Sequence, residues 1–296
     1  MRTVTLRPTA KINLTLRVGP LRPDGFHDVR TLLQSIGIAD TMTVSARRGP
    51  FALSCRAPGV PTDESNLVWR AARALWTAAG RDGEPCDAHI RLDKSIPHAA
   101  GLGGGSADAA AALSALNLVW ELRKSRRDLH RVAASLGADV PFFLIGGTAL
   151  GTGKGDELYP VDDVARLGVV IVKPSFGVST ADAYGWVDTD RAAGLPALAT
   201  DRSREVFVGW ENDPLVVCND LEAPVARRHP EILEIIESCY REGAMVAAMT
   251  GSGSAVFGLF SESVAPRAAR ALQRPDWLVS LTRTLNRHEA GRRIGQ

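Results

Sequence analysis

The sequence predicts an α+β chain built as two domains, and three observations carry that expectation. Lys11 to Val18 alternates polar and apolar residues with a period of two, the mark of a strand with one buried face. Four glycines within five residues, Gly101 and Gly103-Gly104-Gly105, run almost directly into the helix-forming stretch Ala109 to Leu116. Beyond residue 163 the pattern changes, and strand and helix signals follow in the order β-α-β-β-α-β, a ferredoxin-like order. The expected division is 1–163 and 164–296, and 296 residues are enough for two domains.

Composition narrows the partners. A hydrophobic content of 45% supplies an ordinary globular core, and a net charge of +2 gives no strong field for nucleic acid or a membrane surface. Cys55, Cys86, Cys218 and Cys239 are scattered with no metal-ligand spacing, so reduced, packed thiols of a cytoplasmic protein are expected. Met1 to Pro8 lacks the apolar centre of a signal peptide, and no apolar run approaches the ~20 residues that span a bilayer.

Taken in order, Ile12, Leu14, Leu16 and Val18 form the buried face of the first long strand, leaving Lys11, Asn13, Thr15 and Arg17 on the other, which alone reads as a solvated face. Arg22-Pro23-Asp24-Gly25 is a turn, followed by Phe26-His27 and an apolar-rich run from Leu32 to Ile38. Thr41 to Ala46 reads as a strand with Phe51 to Cys55 as its hairpin partner. Asn66 is placed to cap a helix carrying Leu67, Val68, Ala71, Ala72, Leu75 and Ala79, ended by Gly80, with Trp69 and Trp76 packing. Ala88 to Leu92 is a strand leading to the glycine run. Ser125-Arg126-Arg127-Asp128 is a capping box for a helix closed by Gly137.

In the second half, Gly168 to Val172 is a buried strand, and Gly177 to Thr180 opens a helix through about Val187. Asp188 to Arg204 reads as a loop, and Asn212-Asp213-Pro214 leads into Asn219-Asp220-Leu221-Glu222. Pro230 starts a helix ended by Gly243, as a favoured first helical residue. Ala244 to Met249 and Ala255 to Phe260 form a hairpin around Thr250 to Ser254, then come a helix over 264–272 and a strand over 277–285. Arg283, Arg287, Arg292 and Arg293 are expected in a disordered basic tail.

The chemistry centres on Pro97 to Asp108. A glycine-rich turn opening a helix presents unpaired N–H groups and the positive end of the helix dipole, which suits phosphate. The run fits neither the dinucleotide fingerprint, whose last glycine is Ser106 here, nor the P-loop, since Gly153-Lys154 is followed by Gly155. A ligand-free connection is the alternative, though four glycines in one turn carry a large backbone entropy cost. Asp139 lies between Ala138 and Val140 ahead of Phe142-Phe143; it reads either as a helix cap or as a functional carboxylate, with burial raising its pKa and a nearby lysine lowering it.

Pro97-x-x-x-Gly101-Leu102-Gly103-Gly104-Gly105-Ser106 resembles the phosphate loop of the GHMP kinases, and the likeness runs from about Pro8 to Phe260. It implies a two-domain GHMP kinase fold, with an N-terminal ribosomal-protein-S5-like domain and a C-terminal ferredoxin-like domain. It implies ATP as phosphoryl donor with Mg²⁺, and the loop from Gly101 to Ser106 on the phosphates. Lys94, in a segment resembling the family's I-D-K-x-[LI]-P, would then lie near the nucleotide. The Ser106 hydroxyl would help hold Mg²⁺ or simply cap the helix, Asn66 would lie near adenine or serve only as a cap, and Asp108 is a further candidate for the metal.

Pro8-Thr9-Ala10-Lys11-Ile12-Asn13-Leu14 and Gly137-Ala138-Asp139-Val140-Pro141 are similar to the family's P-A-K-I-N-L and G-A-D-V-P. The resemblance makes Asp139 the catalytic base, Lys11 its neighbour and Asn13 part of the acceptor site. Arg22-x-Asp24-Gly25-Phe26-His27 is similar to the R-x-D-G-[YF]-H of the diphosphocytidyl branch, where the aromatic stacks on cytosine and the histidine bonds its edge; a packed Phe and a surface His are the alternative. Ser179-Thr180 and Gly251-Ser252-Gly253 match segments facing the substrate and the phosphates, the latter also readable as a plain hairpin turn. Asn219 to Glu222 matches N-D-L-E, expected to brace the domains. Lys154 is assigned no role. The implied reaction is phosphorylation of the 2-hydroxyl of 4-diphosphocytidyl-2-C-methyl-D-erythritol. A homoserine or mevalonate kinase should lack Asp24 to His27, and a non-catalytic binding module of the same fold should lose Lys11 or Asp139.

Overall fold

The computed structural model describes residues 3–196, 204–206, 209 and 214–295. The first half comprises β1 (Thr3–Leu6), β2 (Thr9–Leu21), β3 (His27–Ala39), β4 (Thr41–Pro50), β5 (Ala52–Cys55), α1 (Leu67–Ala78), β6 (Cys86–Asp93), α2 (Gly104–Val119), α3 (Arg126–Leu136), α4 (Val140–Ile145), β7 (Thr148–Thr152) and β8 (Glu157–Pro160). The second comprises β9 (Gly168–Pro174), α5 (Thr180–Ala192), β10 (Glu205–Val206), β11 (Leu215–Val216), β12 (Cys218–Asn219), α6 (Glu222–Arg228), α7 (Glu231–Arg241), β13 (Val246–Met249), β14 (Val256–Phe260), α8 (Ala265–Ala271), β15 (Trp277–Arg283) and α9 (Arg287–Arg293).

One sheet runs β1-β4-β6-β5, a second β12-β2-β3-β7-β8 and a third β13-β14-β9-β15. The third is antiparallel throughout, with β9 between β14 and β15, which is the ferredoxin-like arrangement expected from the sequence. The alternation of β2 explains how the halves meet. Ile12 and Leu14 pack with Leu32 and Ile36 of β3 against Val169, Ile171 and Phe257 of the third sheet, forming an apolar core between the two. Lys11 and Asn13 point the other way, yet both are buried rather than solvated. Helix α2 is buried on nearly every face, which its small alanines permit, and it packs beside α1 over the first sheet.

Local signals account for the helix ends. Asn66 accepts from Val68 N at 2.9 Å, and Ser125 and Asp128 form the reciprocal capping box.

Several expectations are corrected. Ala52–Cys55 is not the hairpin partner of β4: both flank β6, β4 antiparallel and β5 parallel, because β6 buries Ala88, Ile90 and Leu92 in the centre of its sheet and needs a neighbour on each edge. Helix α5 continues to Ala192, into the stretch expected as a loop; 197–203 and Asn212-Asp213 fall outside the described residues. The basic tail is an ordered helix. Asn286 and Glu289 cap α9, Arg287 donates to the Thr148 and Val161 carbonyls, Arg293 donates to Gly37 O, and Ile294 joins the core of the first half. Arg287 and Arg293 spend their guanidinium groups on backbone acceptors and Arg283 pairs with Glu289, which is why charge did not leave the segment loose.

Candidate active site

A cleft of about 820 Å³ lies between the halves. One wall is the glycine run. Helix α2 begins at Gly104 with Gly103 as a side-chain-free N-cap, so the N–H groups of its first turn have no intrahelical acceptor. Gly101 has φ +75°, and a Cβ there would sit 2.2 Å from Thr250 O; Gly103 has φ +71°, and its Cβ would meet Phe143 at 2.6 Å. Only glycine fits either place. Gly101, Gly103 and Ser106 line the cleft. Leu102 is buried behind them, its carbonyl accepting from Lys11 N, which ties the loop to β2.

The opposite face of β2 supplies the next group. Lys11 Nζ donates to Asn13 Oδ1 at 2.6 Å and lies 3.6 Å from Asp139 Oδ2. Asn13 in turn donates from Nδ2 to Thr31 Oγ1, and its backbone N–H donates to Thr250 Oγ1. Its amide is therefore spent on holding Lys11 in place. Asp139 occupies the N-cap position of α4 but makes no capping hydrogen bond with its side chain, which leaves the carboxylate for the cleft. That side chain is 41% exposed, so the burial expected from its apolar neighbours in sequence does not occur; Val140, Phe142 and Phe143 turn inward as α4 starts while Asp139 stays at its mouth.

At the far end stand Phe26 and His27. Phe26 is exposed, and Lys154 Nζ lies 4.4 Å from its ring centre while pairing with Asp24 at 3.0 Å. His27 is buried beside the Tyr184 ring, 5.2 Å between centres. Burial and the nearby Asp139 charge push the Tyr184 phenol up to about 12, so it stays protonated. Thr180 and Ser252 join across the cleft at 3.1 Å between hydroxyl oxygens. Asn219 Nδ2 donates to both Met249 O and Gly251 O, while Asp220 accepts from Val18 N and Arg17; this segment ties β2 to the turn at 250–253.

The cleft thus brings together Lys11, Asn13, Phe26, His27, Gly101, Gly103, Ser106, Asp139, Thr180, Gly251 and Ser252. Lys94, Pro97, Leu102, Gly104, Gly105, Asn66 and Ser179 are not among its lining residues. Asn66 and Ser179 spend their side chains as caps. Lys94 points into the protein, bonded to the carboxylates of Asp40 and Asp108. Burial opposes its charge, but the two carboxylates hold the ammonium above its usual value, while burial pushes Asp108 up. Asp108 is therefore a buried partner of Lys94 and does not line the cleft. Lys154, Tyr184 and Asp188 line it without having been expected there. Tyr184 and Asp188 follow Thr180 at steps of four, which puts all three on one helix face; nothing local marks Lys154.

Comparison with known proteins sets this geometry in a family. A model of the GHMP kinases N terminal domain matches residues 66–147, and one of the GHMP kinases C terminal region matches 199–275. A 4-diphosphocytidyl-2-C-methyl-D-erythritol kinase from Moorella thermoacetica is 43% identical over 292 residues, covering 96% of this chain and 100% of that protein. The chain belongs to the 4-diphosphocytidyl-2-C-methyl-D-erythritol kinase family of GHMP kinases. A second member, from Pelotomaculum thermopropionicum, is 42% identical over 96% of this chain and 98% of its own. A crystal structure of a 4-(cytidine 5'-diphospho)-2C-methyl-D-erythritol kinase superposes with a TM-score of 0.77 at 33% identity, over 95% of this chain and 99% of that one. A homoserine kinase from Cytophaga hutchinsonii, at a TM-score of 0.69 and 19% identity over 98% of this chain and 96% of that one, shares the family's wider fold. Among the described residues, no helix is long and apolar enough to cross a membrane.

Proposed function

We propose that this chain transfers the γ-phosphoryl group of ATP to the 2-hydroxyl of 4-diphosphocytidyl-2-C-methyl-D-erythritol, giving the 2-phosphate and ADP, as a cytoplasmic step of non-mevalonate isoprenoid precursor synthesis. One observation carries the reading: the Asp139 carboxylate, 3.6 Å from Lys11 Nζ, opens onto a cleft with the glycine loop at one end and Phe26-His27 at the other.

Each part has a task. Backbone N–H groups at the start of α2 hold phosphate oxygens, with the helix dipole behind them. Asp139 accepts the proton leaving the acceptor hydroxyl. Lys11, steadied by Asn13, orients Asp139 and draws charge off the attacking oxygen. Phosphoryl transfer passes through a loose transition state, so positioning and electrostatics supply most of the acceleration. Phe26 offers a face for the pyrimidine, and His27 reads its edge.

Mg²⁺ would reach the site with the nucleotide, and Mg²⁺ usually needs only one or two protein oxygens. Ser106 on the cleft fits such a role, Asp108 beneath it does not, and among the described residues no cluster of three acidic, His or Cys side chains forms a separate metal cage. When bound, the ion offsets charge on the phosphate oxygens.

The test is ADP release from ATP and Mg²⁺ with 4-diphosphocytidyl-methylerythritol, mevalonate, homoserine and galactose offered separately. Turnover with the cytidyl acceptor alone is expected. Turnover with another acceptor instead would overturn the cytosine pocket, and none with any would leave a binding module.

A further inference from the structure

His27 does not stand alone in the cleft. Its Nε2 lies 2.8 Å from Asp188 Oδ1, and among the described residues its Nδ1 makes no hydrogen bond. The ring is only 6% exposed, with Tyr184 against it, so it has little freedom to turn. Asp188 projects from α5, one turn beyond Tyr184, and nothing on β3 dictates its presence. A carboxylate beside one imidazole nitrogen decides which nitrogen carries the proton.

We propose that Asp188 is a positioning residue that sets base specificity by fixing the tautomer of His27. This deepens the function proposed above and rests on it. In the neutral ring, Nε2–H donates to Asp188, so Nδ1 keeps its lone pair and is an acceptor only. Cytosine presents an exocyclic amine, a donor, at the place where uracil presents a carbonyl oxygen, an acceptor. An acceptor nitrogen matches the amine and repels the carbonyl. Asp188 thereby turns a ring that could serve either base into one that suits a cytidyl group. A polar site built for one partner rejects the other because its buried groups are left unmatched.

The experiment compares Asp188→Ala and Asp188→Asn with the unaltered chain, using the cytidyl acceptor and its uridyl analogue. Asp188→Ala should raise KM for the cytidyl acceptor about tenfold with kcat within about twofold, and should lower the cytidyl-over-uridyl ratio of kcat/KM by about tenfold. Asp188→Asn keeps an oxygen that accepts from Nε2–H, so it should restore most of that ratio. In a His27→Ala background, Asp188→Ala should cost no further selectivity; an additional loss there would mean that Asp188 meets the base directly and would overturn the proposal. ¹⁵N spectra of the labelled histidines, assigned with the His27 variant, should show protonated Nε2 and bare Nδ1 in the unaltered chain and a mixture in Asp188→Ala. An unchanged ratio, or an unchanged tautomer, sinks the assignment. Failure of the unaltered chain to use the cytidyl acceptor counts against the proposed function, whereas the spectra judge Asp188 separately.

Discussion

Lys11 and Asp139 form an unequal pair: the lysine side chain is 4% exposed and the aspartate 41%, with 3.6 Å between ammonium and carboxylate. The cation is fixed and the anion faces the cleft, the arrangement wanted of a base that must meet a substrate hydroxyl. Asp139→Asn should lower kcat by about 10²–10⁴-fold while leaving ATP affinity nearly unchanged. Steady-state kinetics with calorimetric ATP titration checks both halves, and near-normal kcat would remove Asp139 as the base.

Gly101 lies against the turn at 250–253 so closely that a methyl group cannot enter. Gly101→Ala should cost about 1–3 kcal/mol from the positive φ alone, and more from the contact with Thr250 O. The displaced loop should raise KM for ATP more than KM for the acceptor. A variant with unchanged melting temperature and unchanged KM for ATP would show that the contact is not needed.

Phe26 is 56% exposed, so truncating it should leave stability almost untouched. Stacking of a base on an aromatic ring contributes about 1–3 kcal/mol. Phe26→Ala should therefore raise KM for the cytidyl acceptor by about 5–150-fold with KM for ATP unchanged. Equal effects on both substrates would move Phe26 out of the base site.

Lys94 separates two buried carboxylates. Lys94→Met should destabilise the fold by about 3–5 kcal/mol, because it strands charge in the interior. The loss should depend on pH. Burial already pushes Asp108 above its unfolded value, and without the ammonium nothing pulls it back. A carboxyl raised in this way is compatible with the fold below about pH 4, where it is protonated in both states, and stability is lost as the pH climbs. Melting temperatures at pH 5 and pH 8 should differ more for the variant than for the unaltered chain; parallel curves would refute the argument.

Much of this was legible in the residues. The period of β2 marked a buried face, and the Asn66 cap and the Ser125–Asp128 capping box marked helix starts. The glycine run marked an N-terminus fit for phosphate. What escaped depends on contacts distant in sequence. The resemblance sets Lys94 near the nucleotide, but its pairing with Asp40, 54 positions away, and with Asp108 is not visible in the sequence. Asn13 reads as a surface residue until Thr31 and Thr250 close around it. Asp188 sits in a polar stretch that looks like loop, and only the 161-residue leap to His27 gives it meaning.

The pairing of β12 with β2 and the return of α9 to the first half bear on how the cleft is used. The two halves are stitched at both extremities, with Arg7 N donating to Arg293 O at 2.7 Å and an apolar seam between. A jaw-like hinge would have to tear a strand, a helix and that seam together. These contacts oppose a wide separation of the two walls. A rigid compound matched to the cleft should then lose little affinity to reshaping of the protein.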